Sequence, residues 1–446
     1  MRQKNESAQT EIADNVQACG LAGEKSIQMS SGSSIRSLFL FFAIVYAAEG
    51  FCEPRGLIGQ PLIRFFKEQY SWSPTMISSY LSLFSLPWII KPVFGIVSDY
   101  LPIFGYRRRS YLLLANLAAA IAYIAVSRLT GAGAICGALL VTFFGMAISS
   151  TVCGALLVEN GQRLRMASAL VNQQWLWLSI AAILSSLGGG WLAQHLPLAT
   201  AVHAAALVLL CWPLAVGLLG IFLVVEKKTT LNRTETRETL SAFWLAIRSG
   251  RFLAIAVFLF LYMYSPGFYV PLYFHMTNQL HFSQQFIGVL GSINSAGGVA
   301  GAVLHRFVLR HIGRKRLVNL SILLGVLAAL AYLVMLGRAS AVTVYCINGM
   351  VGTITIIVSA TLAAEFCPPR SEGFAYAILA TMENLAIRLS DVSGSYFYDH
   401  FFHRQLVPLV WVSAGFTALA FAFVPMLRLN QRDVSAGEPI GTALAG

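Results

Sequence analysis

The apolar residues of this chain neither alternate nor keep to one helical stripe. They come in long runs separated by short polar turns. A bilayer core about 30 Å thick needs roughly 20 apolar residues per helix. Runs of that size lie near 38–58, 75–98, 111–128, 133–157, 168–193 and 200–225. A polar stretch follows, and then six more runs, near 252–274, 284–305, 317–337, 341–364, 374–398 and 406–427. The pattern predicts an all-α membrane protein of twelve transmembrane helices. They form two six-helix bundles, 36–225 and 251–428, joined by a loop at 226–250. Residues 1–35 and 429–446 read as polar tails, the first too poor in apolar residues to fold by itself. No short apolar core precedes the first span, so the tail is not read as a signal peptide. Glu6, Glu11, Asp14 and Glu24 make it too acidic for a transit segment.

Composition agrees: 57% of the 446 residues are hydrophobic and 11% charged. A soluble domain is nearer one quarter charged, so most of this outer surface must face lipid. None of the seven cysteines makes a CxxC pair, and most lie in apolar runs as small core residues.

The charge of +12 would suit a nucleic-acid partner, but its distribution does not. With both termini cytoplasmic, 23 of the 31 Lys and Arg fall inside. Five fall outside (Arg64, Lys67, Arg128, Arg338, Arg404) and three lie within spans (Arg55, Lys91, Arg388). This is the positive-inside pattern, spread over many short loops without aromatic interleaving.

The halves repeat. Gly95 and Gly301 both end an even-numbered span before a basic turn, 206 positions apart. Glu159 and Glu365 end spans four and ten with the same offset, and WSPTMISSYLSL from Trp72 resembles FSQQFIGVLGSI from Phe282. Duplicated bundles place a cavity between them near the midplane.

After span two runs GIVSDYLPIFGYRRRS, Gly95 to Ser110. Gly95 is expected to permit close helix approach, Asp99 to sit just past the helix end, and Gly105 to make a tight turn. Arg107, Arg108 and Arg109 are expected to stay in the cytosol. An Asp–Arg pair on such a turn can hold a neighbouring helix in one state and release it in another. The second copy, GAVLHRFVLRHIGRKR from Gly301, has His305 in place of Asp99 and is degenerate.

The stretch Ser85 to Leu114 resembles the folate–biopterin transporter family. It carries Pro87, Trp88, Lys91, Pro92, Gly95, Ser98, Asp99, Pro102, Ile103, Phe104, Gly105, Tyr106, Arg107 and Arg108 in that family's order. Ser265 to Ile293 resembles the family as well. The resemblance implies the major facilitator fold and secondary transport of a small-molecule solute, with folate or biopterin first.

Charged groups inside a span cost roughly 2.5–3.5 kcal/mol each at a helix centre and mark function. Glu49 and Glu53 lie i, i+4 on span one, on one face. Pro54 and Gly56 follow and should kink that helix. Two carboxyls in low dielectric do not both ionise easily, so this pair suits proton coupling. The other reading ends span one earlier, with Arg55 as an interfacial partner. Lys91 either snorkels, binds an anion or pairs with Glu49 or Glu53. Arg388 and Asp391 lie i, i+3 on span eleven, with Glu383 two turns away. Arg388 is read as a carboxylate clamp or as half of a structural bridge. Asn172 and Gln173, with Gln174, Trp175 and Trp177, offer hydrogen bonds and aromatic faces for a flat ring, or else form an interfacial belt. Asp399, His400 and His403 have no second ligand cluster, so no metal is expected.

The leading reading is a proton-coupled symporter for an organic anion, working as a monomer in the lipid bilayer without a cofactor. The host membrane is expected to be bacterial cytoplasmic, or otherwise plasma. A muropeptide, drug or other metabolite carrier on the same fold is the alternative. A sensor on a transporter fold would usually carry a soluble appendage. An enzyme is not expected, since no nucleophile sits with a base and no phosphate loop follows a strand.

Overall fold

The computed structural model describes residues 28–29, 35–226, 228, 250–367 and 372–427. Most of the expected tails and central loop lies outside these. Gln28–Met29 (β1) pairs antiparallel with Val224–Val225 (β2). Everything else regular is helical: α1 (Ile35–Cys52), α2 (Gly59–Gln69), α3 (Pro74–Phe84), α4 (Leu86–Ile89), α5 (Lys91–Tyr100), α6 (Arg109–Val126), α7 (Ala132–Arg163), α8 (Ala167–His195) and α9 (Leu198–Leu223) form the first bundle. α10 (Gly250–Met263), α11 (Tyr269–Asn278), α12 (Gln284–Phe307), α13 (Arg314–Leu330), α14 (Arg338–Glu365), α15 (Glu372–His400) and α16 (Leu406–Phe423) form the second.

Among the described residues nine helices are each long and apolar enough to cross a bilayer: α1, α6 to α9, α12 to α14 and α16. The expected second and seventh spans are instead divided into consecutive short helices, and α15 carries Glu383, Arg388, Asp391 and Asp399 within its length.

The divisions follow from local chemistry. Pro54 has no N–H to continue the ladder of α1. The chain closes a turn with Gly56 N donating to Glu53 O at 2.8 Å and Leu57 N to Phe51 O at 3.2 Å. A Cβ on Gly56 would collide with Phe51 O. In the second bundle Pro266 and Gly267 break the span between α10 and α11, and Gly267 N donates sideways to Ser390 O of α15 at 2.7 Å. An added Cβ on Gly394 would collide with Gly267 O, so α15 and this break meet backbone to backbone.

The repeat extends to atomic detail. Ser73 and Ser283 each cap the helix that follows, accepting from Met76 N and Phe286 N. The residues two before them, Ser71 and His281, both take left-handed backbone angles, φ 52° and 51°. The two glutamates matched by sequence each hold an arginine at the start of the preceding odd-numbered span: Arg108 with Glu159 at 3.0 Å, Arg314 with Glu365 at 3.2 Å.

One buried cluster runs through the first bundle (Phe42, Tyr46, Tyr123, Phe143) and across into Tyr273, Phe282 and Leu290 of the second. A separate cluster around Phe258, Tyr262, Ile322 and Leu379 fills the rest of the second bundle. The bundles are thus fused at the end where α3 and α12 begin. Leu117, Ile121, Leu207, Leu214, Leu327 and Leu419 point outward, as lipid-facing side chains do.

Candidate translocation site

At the fused end the two bundles cap one another's helices. Asp399 Oδ2 of α15 accepts from Thr75 N at 2.8 Å and Thr75 Oγ1 at 2.5 Å, at the first turn of α3. Gln194 Oε1 of α8 accepts from Gln284 N at 2.9 Å, at the first turn of α12. These are related contacts on the two repeats, and both satisfy amides that a helix start leaves open. Gln60 Nε2 adds a bond to Gln284 O at 2.6 Å, and Lys67 Nζ reaches Asn278 Oδ1 at 2.5 Å. Gly190 and Gly288 bring α8 and α12 so close that a Cβ on Gly190 would lie 2.8 Å from Gly288 Cα. The ties then descend through Ser78–Ser395 and Ser82–Arg388 O to Thr381–Ile89 O. Asp399 is therefore a tie between bundles, and His400 bonds Tyr396 O of its own helix. Among the described residues no group of three or more His, Cys, Asp or Glu could hold a metal.

Below this seal lie the charges singled out from sequence. Glu49 of α1 accepts from Lys91 Nζ at 3.1 Å and from Ser150 Oγ of α7 at 2.6 Å. Lys91 also donates to Ser150 Oγ at 2.9 Å. Of the readings open for Lys91, pairing with Glu49 is the one realised; α5 starts at Lys91, which turns its side chain inward. Glu53 makes no side-chain hydrogen bond or ion pair among the described residues. It lies within electrostatic reach of Glu49, Lys91, Arg388 and Arg55.

Arg55 departs from expectation. Its partner is not an acidic neighbour on its own helix but Asp391 of the other bundle. The turn after Cys52 swings it across the interface, where its guanidinium also lies over the Tyr269 ring, 4.1 Å from the centroid. Arg388 Nη1 is 3.5 Å from the same Asp391 oxygen. So the i, i+3 pair on α15 is secondary, and the bridge joins two bundles. Arg55, Lys91 and Arg388 keep 31, 30 and 21% of their side-chain surface exposed.

Other expected groups do not join this cluster. Gln173 Nε2 donates to Phe39 O near the start of α1, ten residues and roughly 15 Å along that helix from Glu49. Asn172 is exposed beside it. Consecutive positions at the head of α8 cannot all share the inward face, and these two turn elsewhere. Glu383 lies two turns from Asp391, with Oε1 buried and no hydrogen-bond partner among the described residues.

The motif after the second span is partly as expected. Gly105 takes φ 83° in a turn closed by an Ile103–Tyr106 bridge. The Asp99 side chain lies outside the described residues. Gly95 needs no special closeness, since a Cβ there would meet Thr151 Cγ2 at an ordinary 3.8 Å. Arg107 and Arg109 offer their backbone amides to Glu226, at 2.6 and 3.2 Å. Arg108 is not left in solvent: it is 6% exposed, donating to Ser98 Oγ at 3.1 Å and Glu159 Oε1 at 3.0 Å. A guanidinium can be buried there because a carboxylate and a hydroxyl receive it. Glu226 was missed, although it is the first charged residue after the sixth span. Ser150 and Tyr269 were missed because hydroxyls in an apolar run carry little signal.

The two arginine–glutamate pairs differ in burial, 7% exposed for the Arg108 side chain against 44% for Arg314. Arg108→Ala is expected to cost about 2–3 kcal/mol, since the Glu159 left behind is partly exposed, and Arg314→Ala roughly 1 kcal/mol or less. Thermal unfolding of the purified variants reads the difference; equal losses would contradict it.

Two bundles related by a repeat, sealed at one end and meeting around a charged cluster, define a transporter of the major facilitator type. The fold is shared with a point mutant of the nucleoside transporter NupG, TM-score 0.69 and 16% identity over 87% of this chain and 99% of that one. It is shared too with a D-xylose-proton symporter, TM-score 0.67 and 14% identity over 89% and 98%. The chain belongs to the BT1 family, the folate–biopterin transporters, whose model matches residues 54–406. It is 27% identical over 349 residues to a folate-biopterin transporter of Synechocystis sp., 74% of this chain and 69% of that protein. It is 23% identical over 398 residues to folate transporter 2 of Plasmodium falciparum, 83% and 86%. It is thus an integral, multi-pass membrane transporter for a small-molecule solute.

Proposed function

We propose that this chain carries a folate or a related pterin, coupled to protons, through the gap between its bundles. The observation behind this reading is the inter-bundle cluster of Glu49, Glu53, Arg55, Lys91, Arg388 and Asp391. The relatives' names support the solute class.

The second and seventh spans, though divided, and α15 cross the membrane as well, giving twelve. The excess of Lys and Arg at the unsealed end makes that end cytoplasmic. In this reading both termini lie in the cytosol and the sealed end faces outward. The membrane is the bacterial cytoplasmic membrane, or a plasma membrane. The cluster is completed within one chain, which supports a working monomer. Arg108, Ser98, Glu159 and Glu226 fix the turn at the cytoplasmic end, where a latch would act on opening and closing.

Glu53 is the coupling carboxyl of this reading, because Glu49 is already held by Lys91 and Ser150. Proteoliposomes holding the purified protein test it with labelled folic acid, with and without an inward proton gradient. The gradient is expected to drive accumulation. Glu53→Gln is expected to abolish accumulation and keep exchange; equal loss of both removes Glu53 from coupling. No uptake by folded wild-type protein in either condition would move the solute to another organic class.

A further inference from the structure

The cluster has an arithmetic of donors and charges. Arg55 and Arg388 each offer five N–H donors. Asp391 answers with one oxygen, Oδ2, to both. Its Oδ1 lies instead against the α10–α11 break, 3.2 Å from where a Cβ on Gly267 would stand. The Nε atoms of Arg55 and Arg388 are buried, and neither has a hydrogen-bond partner among the described residues. Two guanidiniums from opposite bundles therefore face one site with donors to spare. Fork-shaped donors of this kind suit a carboxylate.

The charges acting on Glu53 are Glu49 of α1, Arg55 of the turn before α2, Lys91 of α5 and Arg388 of α15; Asp391 of α15 and the Tyr269 ring of α11 stand against Arg55 in turn. Three cations stand against three carboxyls. Glu49 and Asp391 have partners; Glu53 has none among the described residues. The set is neutral with Glu53 ionised. A solute carboxylate added to it would make it anionic in a low-dielectric site, which is costly. One proton added with the carboxylate restores neutrality, and Glu53 is the carboxyl free to take it.

We propose that Arg55 and Arg388 seat one carboxylate of the solute across the two bundles, and that Glu53 takes up one proton from solvent as that carboxylate arrives. This rests on the reading of the cluster as the solute site, and it adds the stoichiometry and a preference. Carboxylate-bearing folates bind with a proton, and pterins without a carboxylate bind without one and more weakly. The one covalent change is the O–H formed on the Glu53 carboxylate, balanced by the proton that the buffer acid loses.

Calorimetric titration of the full-length protein in nanodiscs tests it, using folic acid and biopterin in two buffers of different ionisation enthalpy. Wild type is expected to take up about one proton per folic acid bound, and its affinity to fall ~10-fold per pH unit once Glu53 is ionised in the free protein. Glu53→Gln is expected to bind folic acid with no proton uptake and a flat pH profile. Arg388→Gln is expected to weaken folic acid by roughly 10-fold or more and biopterin distinctly less, with a cooperative thermal unfolding transition reporting that the variant is folded. Folic acid binding without proton uptake, uptake persisting in Glu53→Gln, or equal losses of both solutes in Arg388→Gln overturns the inference and leaves the folate–pterin reading standing. So does binding of biopterin alone. If neither solute binds folded wild-type protein, both readings fall.

Discussion

Gly288→Val is expected to suppress solute accumulation in proteoliposomes while the protein still folds and inserts. A Cβ at Gly288 would stand 2.5 Å from Ser186 O and 2.8 Å from Gly190 Cα, both on α8 of the other bundle. These are backbone atoms, so no side-chain rotamer relieves the overlap. Overpacking of this kind costs about 1–3 kcal/mol. Here the cost falls on the state in which the bundles touch at this end, because the atoms met first all belong to α8 of the other bundle. A bias of that size shifts the balance between states by roughly 5–150-fold. Single cysteines placed at either end of the gap, labelled with a membrane-impermeant thiol reagent, would read the shift. Labelling should rise at the end sealed here. Unchanged labelling with unchanged uptake would mean that the seal does not depend on this contact.

Asp391→Ala is the second large effect. It leaves the guanidiniums of Arg55 and Arg388 side by side inside the bundle, with their shared acceptor gone. Removing one partner of a buried pair costs about 3–5 kcal/mol. Arg55 keeps 31% of its surface exposed, so the lower end of that range applies. Thermal stability is expected to fall accordingly, and transport with it. The double variant Arg55→Gln, Asp391→Ala is expected to recover part of the stability, since Arg388 still lacks its acceptor, and none of the transport. A double-mutant cycle separates the two: additive losses would deny the pairing. Recovery of transport in the double variant would make the bridge purely structural.

The sequence revealed unequal parts of this picture. The helical plan was legible because a bilayer imposes one length and one polarity on every span. The break after Cys52 was legible from Pro54 and Gly56, since a missing N–H acts through chain-local geometry. The repeat was legible from the spacing of Glu159 and Glu365. What those glutamates do was not, since Arg108 and Arg314 reach them from a different helix. The charged cluster was identified by type, because an ionisable side chain in an apolar run needs a reason to be there. The pairing within it was assigned by sequence proximity; Arg388 does meet Asp391 as assigned, and Arg55 crosses to Asp391 instead of an acid on its own helix. Glu383 and Asp391 look alike as acids on one helix. Only packing turns the latter to Arg55 and leaves one oxygen of the former buried, without a hydrogen-bond partner among the described residues.

The sequence by itself thus determined the membrane class, the helix order, the duplicated design and the six charged residues of the cluster, all properties of composition and spacing along one chain. The tertiary structure decided which charges meet, which end is sealed, and that Arg55 crosses to Asp391 while Glu53 stays outside the ion pairs among the described residues. These depend on how two separately patterned bundles dock, and helix-bound periodicity carries no information about what lies on the facing helix.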